Sequence, residues 1–162
     1  MSQQSTLGFV LLVSAVLLGV FFAHGVPQPA PDFSLPGTYG GRVNLASYRG
    51  RPVLLVFWTT SCPICQRELP MLSKLEPEFR NKGVSVLAIN VGGGAGVGDF
   101  MGANNINLTS LSDDDGTVSR AYRVGGVPKL VLIGGDGKIR RSTSGWTGQR
   151  ALLEWMDSAS GS

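Results

Sequence analysis

Histidine and cysteine are scarce in this chain: His24 stands alone, and Cys62 and Cys65 are the only cysteines. A Ser-His or Cys-His hydrolase needs a histidine in its folded part. His24 falls in an apolar N-terminal segment, so that chemistry is excluded from the globular portion. A zinc site needs about four ligands, and one Cys-x-x-Cys with one histidine does not supply them. No metal is therefore expected. Charge is thin as well, at 15% of residues with a net +3, and Arg140-Arg141 is the only adjacent basic pair. Without a basic stripe there is no footprint for nucleic acid. The run Gly92 to Gly98 lacks any frame of Gly-x-Gly-x-x-Gly, which excludes a dinucleotide fingerprint and leaves a loop. Asp113-Asp114-Asp115-Gly116 lacks the glutamate that closes a calcium loop, since Val124 holds that place. A turn with a helix cap is the expectation there.

Charge is also absent from the first 31 residues. Leu7 to Ala23 is an apolar run without charge, at the short limit for a membrane span and longer than most signal-peptide cores. Residues 1–25 are read as an N-terminal membrane anchor or signal segment, with Gly25 as the cut if it is cleaved. Residues 26–31 are a stiff Pro-rich tether rather than a packed connection. The folded domain is expected over 32–158. Either reading of the leader places that domain in the cell envelope, outside the cytoplasm, where disulfides persist.

What the chain does have is a Cys-x-x-Cys at a strand-to-helix junction. Pro52 to Trp58 is a continuous apolar run, the pattern of a strand buried on both faces. Thr59-Thr60-Ser61 break it, and Pro63 suits the first turn of a helix expected to reach about Arg80. Residues three apart share a helix face, at a Cα separation of roughly 5 Å that a disulfide accepts. A disulfide closing so small a loop adds little stability, which favours redox chemistry over a structural bridge. Cys62 at the helix start meets unpaired N–H groups and the positive dipole end, which favour its thiolate. Cys62 is the expected attacking sulfur and Cys65, covered one turn inside, the resolving one. The redox-active disulfide Cys62–Cys65 needs no bound cofactor.

The remaining pattern is coarse but ordered. Phe33–Leu35 and Val43–Leu45 flank a Gly-rich turn and suggest a small hairpin. Val84–Val91 reads as a buried strand, Asp99–Asn105 as a short helix, Thr109–Leu111 as a short strand and Thr117–Tyr122 as a helix. Lys129–Ile133 and Lys138–Ser142 read as strands joined by the turn Gly134 to Gly137. Arg150–Met156 closes the chain as an amphipathic helix. Helices interleaved with strands argue for an α/β sandwich with a mixed sheet.

The junction, this order and Gly126-Val127-Pro128 resemble the thioredoxin fold. The finer resemblance is to membrane-anchored, extracytoplasmic thiol-disulfide oxidoreductases of the TlpA/ResA type, in the AhpC/TSA–thioredoxin superfamily. Pro31-Asp32-Phe33-Ser34-Leu35, Tyr48-Arg49-Gly50, Phe57-Trp58, Glu68-Leu69-Pro70, Lys82-Gly83-Val84, Ile89-Asn90-Val91-Gly92 and Gly137-Lys138-Ile139 carry it beside the cysteines. The resemblance covers roughly residues 30–157. It implies a thioredoxin-like sandwich, a central mixed β-sheet flanked by helices, with an N-terminal β-hairpin addition. It implies thiol:disulfide exchange that reduces protein disulfides such as apocytochrome c in cytochrome c maturation or a similar envelope pathway. A membrane or thioredoxin-like electron donor recharges the dithiol. Pro128 takes the place of a cis-proline beside the disulfide, and Val127 offers its backbone to substrate. Trp58, Pro63 and Ile64 complete the expected substrate-binding set. Pro70 matches a kink in the redox helix.

Departures from the pattern matter too. Ser61 stands where the family has Trp, and Lys129 where Thr is common, adding a positive charge expected near the dithiol. Val56 and Gly93 replace acids that move the resolving thiol's proton. That proton is left to water, substrate or another acid; Glu68 is one candidate, but its place near a helix N-terminus favours a solvated residue. Two alternatives share the fold: a thiol peroxidase of the peroxiredoxin type, suggested by Thr59 but lacking a proline at Leu55, and a maturation factor of the amine dehydrogenase type.

Overall fold

The computed structural model describes residues 27–93 and 96–160. The anchor or signal segment and its cut lie outside the described residues. A five-stranded mixed sheet runs in the order β5-β4-β3-β6-β7. Its strands are β3 (Val53–Trp58), β4 (Ser85–Val91), β5 (Thr109–Asp113), β6 (Lys129–Ile133) and β7 (Ile139–Ser144). β3 is central, parallel to β4 and antiparallel to β6. All six of its residues are buried, as a strand covered on both faces requires. A separate antiparallel pair, β1 (Ser34–Pro36) and β2 (Arg42–Asn44), forms the N-terminal hairpin. Helices α1 (Pro63–Asn81), α2 (Val97–Ala103), α3 (Thr117–Ala121) and α4 (Gln149–Ser160) flank the sheet. This is the expected thioredoxin-like sandwich.

Two apolar layers sandwich the sheet. One holds Leu54, Val56, Trp58, Leu130 and Leu132 against Cys65, Leu69, Leu72 and Phe79 of α1 and Leu152 and Met156 of α4. The other holds Leu55, Phe57, Ile89, Leu111 and Val131 against Phe33, Val118 and Tyr122. Alternate residues of β3 face opposite layers, the two-residue period of a strand. Pro70 and Pro77 both lie inside α1, which continues through them. Each lacks the N–H of a helical hydrogen bond.

The Pro-rich segment is extended but not free. Pro29 pairs with Lys138, Ala30 N–H donates to Gly137 O at 2.9 Å, and Ile139 N–H donates to Gln28 O at 2.9 Å. Prolines lack donors but keep their carbonyls, and the intervening residues supply N–H groups. A segment read as a tether thus becomes an added edge on the β6–β7 hairpin. The turn itself closes as expected, with Gly137 N–H donating to Gly134 O at 2.8 Å and Gly137 at φ 77°.

Candidate functional site

Strand β3 ends at Trp58, and after three intervening residues Cys62 caps α1. Cys62 and Cys65 are joined as a disulfide with Cα atoms 5.2 Å apart. Cys62 is half-buried and Cys65 wholly buried, which gives the pair an outer and an inner sulfur. The Cys65 N–H donates to Cys62 Sγ at 3.1 Å, a contact available to a thiolate once the bond opens. On the other side, Cys62 Sγ lies 3.6 Å from the carbonyl oxygen of Val127. The Val127–Pro128 peptide is cis, as the resemblance implied. Pro63 is exposed and Ile64 half-buried beside the outer sulfur, while Pro128 is buried.

Trp58 corrects the expected substrate-binding set. It is 0% exposed and packs against Phe100 with ring centroids 5.4 Å apart. The last residue of a doubly covered strand has no outward face, so this side chain belongs to the core. Lys129 departs as well. Its Nζ donates to the carbonyls of Tyr122 and Arg123, both at 2.9 Å, just past the end of α3. Cations favour helix C-termini, and this one is held there by two carbonyl acceptors. The Thr59 hydroxyl lies 3.3 Å from that of Ser61.

Glu68 is the residue that sequence reasoning misjudged. It is completely buried rather than solvated. The buried face of α1 reads Cys65, Glu68, Leu69, Leu72, Leu75, Phe79, a helical stripe in which Glu68 takes a core position three after the inner sulfur. That spacing was the available signal. Oε1 accepts the Thr147 N–H at 2.9 Å, while Oε2 has no hydrogen-bond partner among the described residues. Burial pushes its pKa up to about 7, against the smaller lowering effect of the Thr147 N–H. A carboxyl so placed can hold or release a proton near neutrality, at the helix face that carries Cys65. No acid stands at Val56, which is buried between Ala88 and Leu130. Gly93 has φ 64°, and a Cβ there would meet the Asp114 carboxylate at 2.7 Å.

The Asp113–Gly116 stretch caps a helix, as its composition suggested. Asp113 accepts from the N–H groups of Val118 and Ser119 at 3.1 and 2.7 Å and from the Ser119 hydroxyl. Asp115 accepts from Thr117 N–H at 2.8 Å. Among the described residues no group of three or more His, Cys, Asp or Glu is placed to hold a metal ion.

Residues 26–142 match the AhpC/TSA family. The chain is 33% identical over 129 residues to the thiol-disulfide oxidoreductase ResA of Bacillus subtilis, covering 79% of this chain and 72% of that protein. It is 34% identical over 137 residues to ResA of Geobacillus thermodenitrificans, covering 84% and 79%. Among solved structures, the thiol:disulfide interchange protein DsbE of Chlorobium tepidum superposes with a TM-score of 0.74 at 30% identity, covering 83% of this chain and 96% of that one. StoA of Bacillus subtilis, at 24% identity and TM-score 0.69, shares the fold, covering 80% and 98%.

Proposed function

The chain belongs to the AhpC/TSA family and is a thiol-disulfide oxidoreductase, and from that premise we propose a division of labour among Cys62, Cys65 and Glu68. In the reduced enzyme the Cys62 thiolate attacks one sulfur of a partner disulfide. A mixed disulfide forms and the partner's second sulfur leaves as a thiolate. Cys65 then gives its proton to Glu68 and attacks Cys62. The Cys62–Cys65 bond forms, the partner leaves with both sulfurs reduced, and two electrons have passed to it. A dithiol donor, in the membrane or thioredoxin-like, returns the two electrons. The redox-active disulfide needs no further cofactor.

The observation that carries this reading is the asymmetry of the pair. The half-exposed outer sulfur lies 3.6 Å from Val127 O, and the inner sulfur lies on the buried stripe that holds Glu68. Val127, Pro128, Pro63 and Ile64 form the surface around the outer sulfur that meets substrate. The apolar leader and the resemblance to extracytoplasmic oxidoreductases support a place in the cell envelope, anchored through residues 7–23, with apocytochrome c among the protein substrates.

The test is trapping. Cys65→Ser in membranes should accumulate mixed disulfides that dithiothreitol releases, and Cys62→Ser should accumulate none. Equal trapping by both variants would overturn the order of attack. A set of trapped partners without an apocytochrome c would remove that substrate.

A further inference from the structure

Two large apolar side chains stand exposed among the described residues, Tyr39 at 71% and Trp146 at 52%. Tyr39 is accounted for: its hydroxyl donates to the Gly98 carbonyl at 3.2 Å, against the start of α2. Trp146 has no comparable attachment, and no hydrogen bond or ring contact of its indole is present among the described residues.

Its place in the fold is specific. In the sheet, Phe57 pairs with Lys129 and Lys129 with Ser144, so the end of β7 lies at the end of β3 that leads to the dithiol. From there the chain is pinned twice. Gly145 N–H donates to Pro128 O at 2.8 Å, and Thr147 N–H donates to Glu68 Oε1 at 2.9 Å. Trp146 sits between the two pins, one residue from each. Its backbone is fixed to the peptide unit beside Cys62 on one side and to the buried acid on the other, while about half of the residue's surface stays exposed. An exposed indole on a rigid support loses little side-chain freedom when covered and buries a large apolar area, the usual make-up of a binding anchor.

We infer that Trp146 is a specificity-determining contact that selects protein disulfides with an apolar side chain next to the attacked cysteine. The inference rests on the exchange reading above and deepens it. The occupant is an extended segment of the oxidised partner lying across Val127 and Pro128. Small disulfides without flanking residues do not reach the indole.

The test uses pre-reduced full-length enzyme in single-turnover reactions with three probes: 2-hydroxyethyl disulfide, and two cystine-bridged peptides that differ only in Leu or Ser beside the cysteine. Wild type should react about 5–10-fold faster with the Leu peptide than with the Ser peptide. Trp146→Ala should bring that ratio to about 1, and Trp146→Phe should retain part of it. The pH profile near 7 should stay in place in both variants, because the Thr147 N–H remains. Equal rates of wild type with both peptides, or a ratio unchanged in Trp146→Ala, would overturn the inference while leaving exchange intact. A reduced enzyme inert toward all three probes would remove the exchange reading itself, and the inference with it.

Discussion

Among the described residues two carboxylates are fully buried, Asp113 and Glu68, and they are finished differently. Asp113, at the end of β5, accepts two backbone N–H groups and a hydroxyl that belong to the first turn of α3. Glu68, on α1, receives one N–H on one oxygen and none on the other. Burial is equal, at 0% exposure for each. The difference lies in the donors around them. A carboxylate surrounded by donors is a structural fastener. One left half-bare is penalised as an anion and becomes an acid that titrates near neutrality. The first kind ties a loop to a helix, whereas the second kind is available to a sulfur one helical turn away.

The largest effect that would sharpen this contrast is Asp113→Ala. It strands two buried N–H groups and a hydroxyl, and should cost about 4 kcal/mol in urea unfolding without moving the pH dependence of exchange. A smaller effect appears in the wild type. The pKa of Glu68 is raised from 4.5 to about 7 on folding, so the native state binds the extra proton between those values. Its contribution to stability is complete below about pH 4.5 and gone above about pH 7, a fall of about 3 kcal/mol with rising pH. Glu68→Gln should flatten that part of the unfolding profile. If the slope persists, another group is responsible.

The same Glu68→Gln change should slow resolution of the mixed disulfide by about 100-fold at pH 8, and the rise in rate through pH 7 should vanish. Stopped-flow decay of a preformed mixed disulfide measures it, and an unchanged rate would remove Glu68 from the proton path. The smallest effect belongs to Lys129. Lys129→Met removes two bonds to carbonyls at the end of α3 and should cost about 1 kcal/mol, with Cys62 alkylation changed by less than about twofold. A large drop in Cys62 reactivity would restore the cation to the dithiol's surroundings.

These residues also show how far a sequence can be read. The apolar run ending at Trp58, the two cysteines and the Pro63 helix start were legible because each is a local signal: continuous hydrophobicity, spacing, and a residue with no N–H to lose. The hairpin turn at Gly134–Gly137 was legible for the same reason. The environment of Glu68 was not, because it depends on Thr147, far along the chain, closing over it. Charge suggested solvent, while its position on the helical stripe pointed inward, and the stripe was correct. Lys129 and Trp58 failed in a related way. Neighbourhood in sequence does not say which way a side chain turns: Lys129 reaches back to the end of α3, and Trp58 turns into the core layer that also holds Cys65, away from solvent. The segment Gln28–Ala30 looked like a spacer because its hydrogen-bond partners at Gly137 and Ile139 come from the far end of the domain. The importance of Trp146 is likewise a property of the two bonds that bracket it.

The docking of Gln28–Ala30 beside Gly137 and Ile139 has a geometric sequel. Because Val53 pairs with Ile133, the β6–β7 turn sits at the start of β3, whereas the sulfurs follow its end. The Gln28–Ala30 segment therefore docks at one pole of the domain, and the dithiol lies at the other. The docked segment thus leaves the face around the sulfurs uncovered, and a visiting protein can reach them without displacing it.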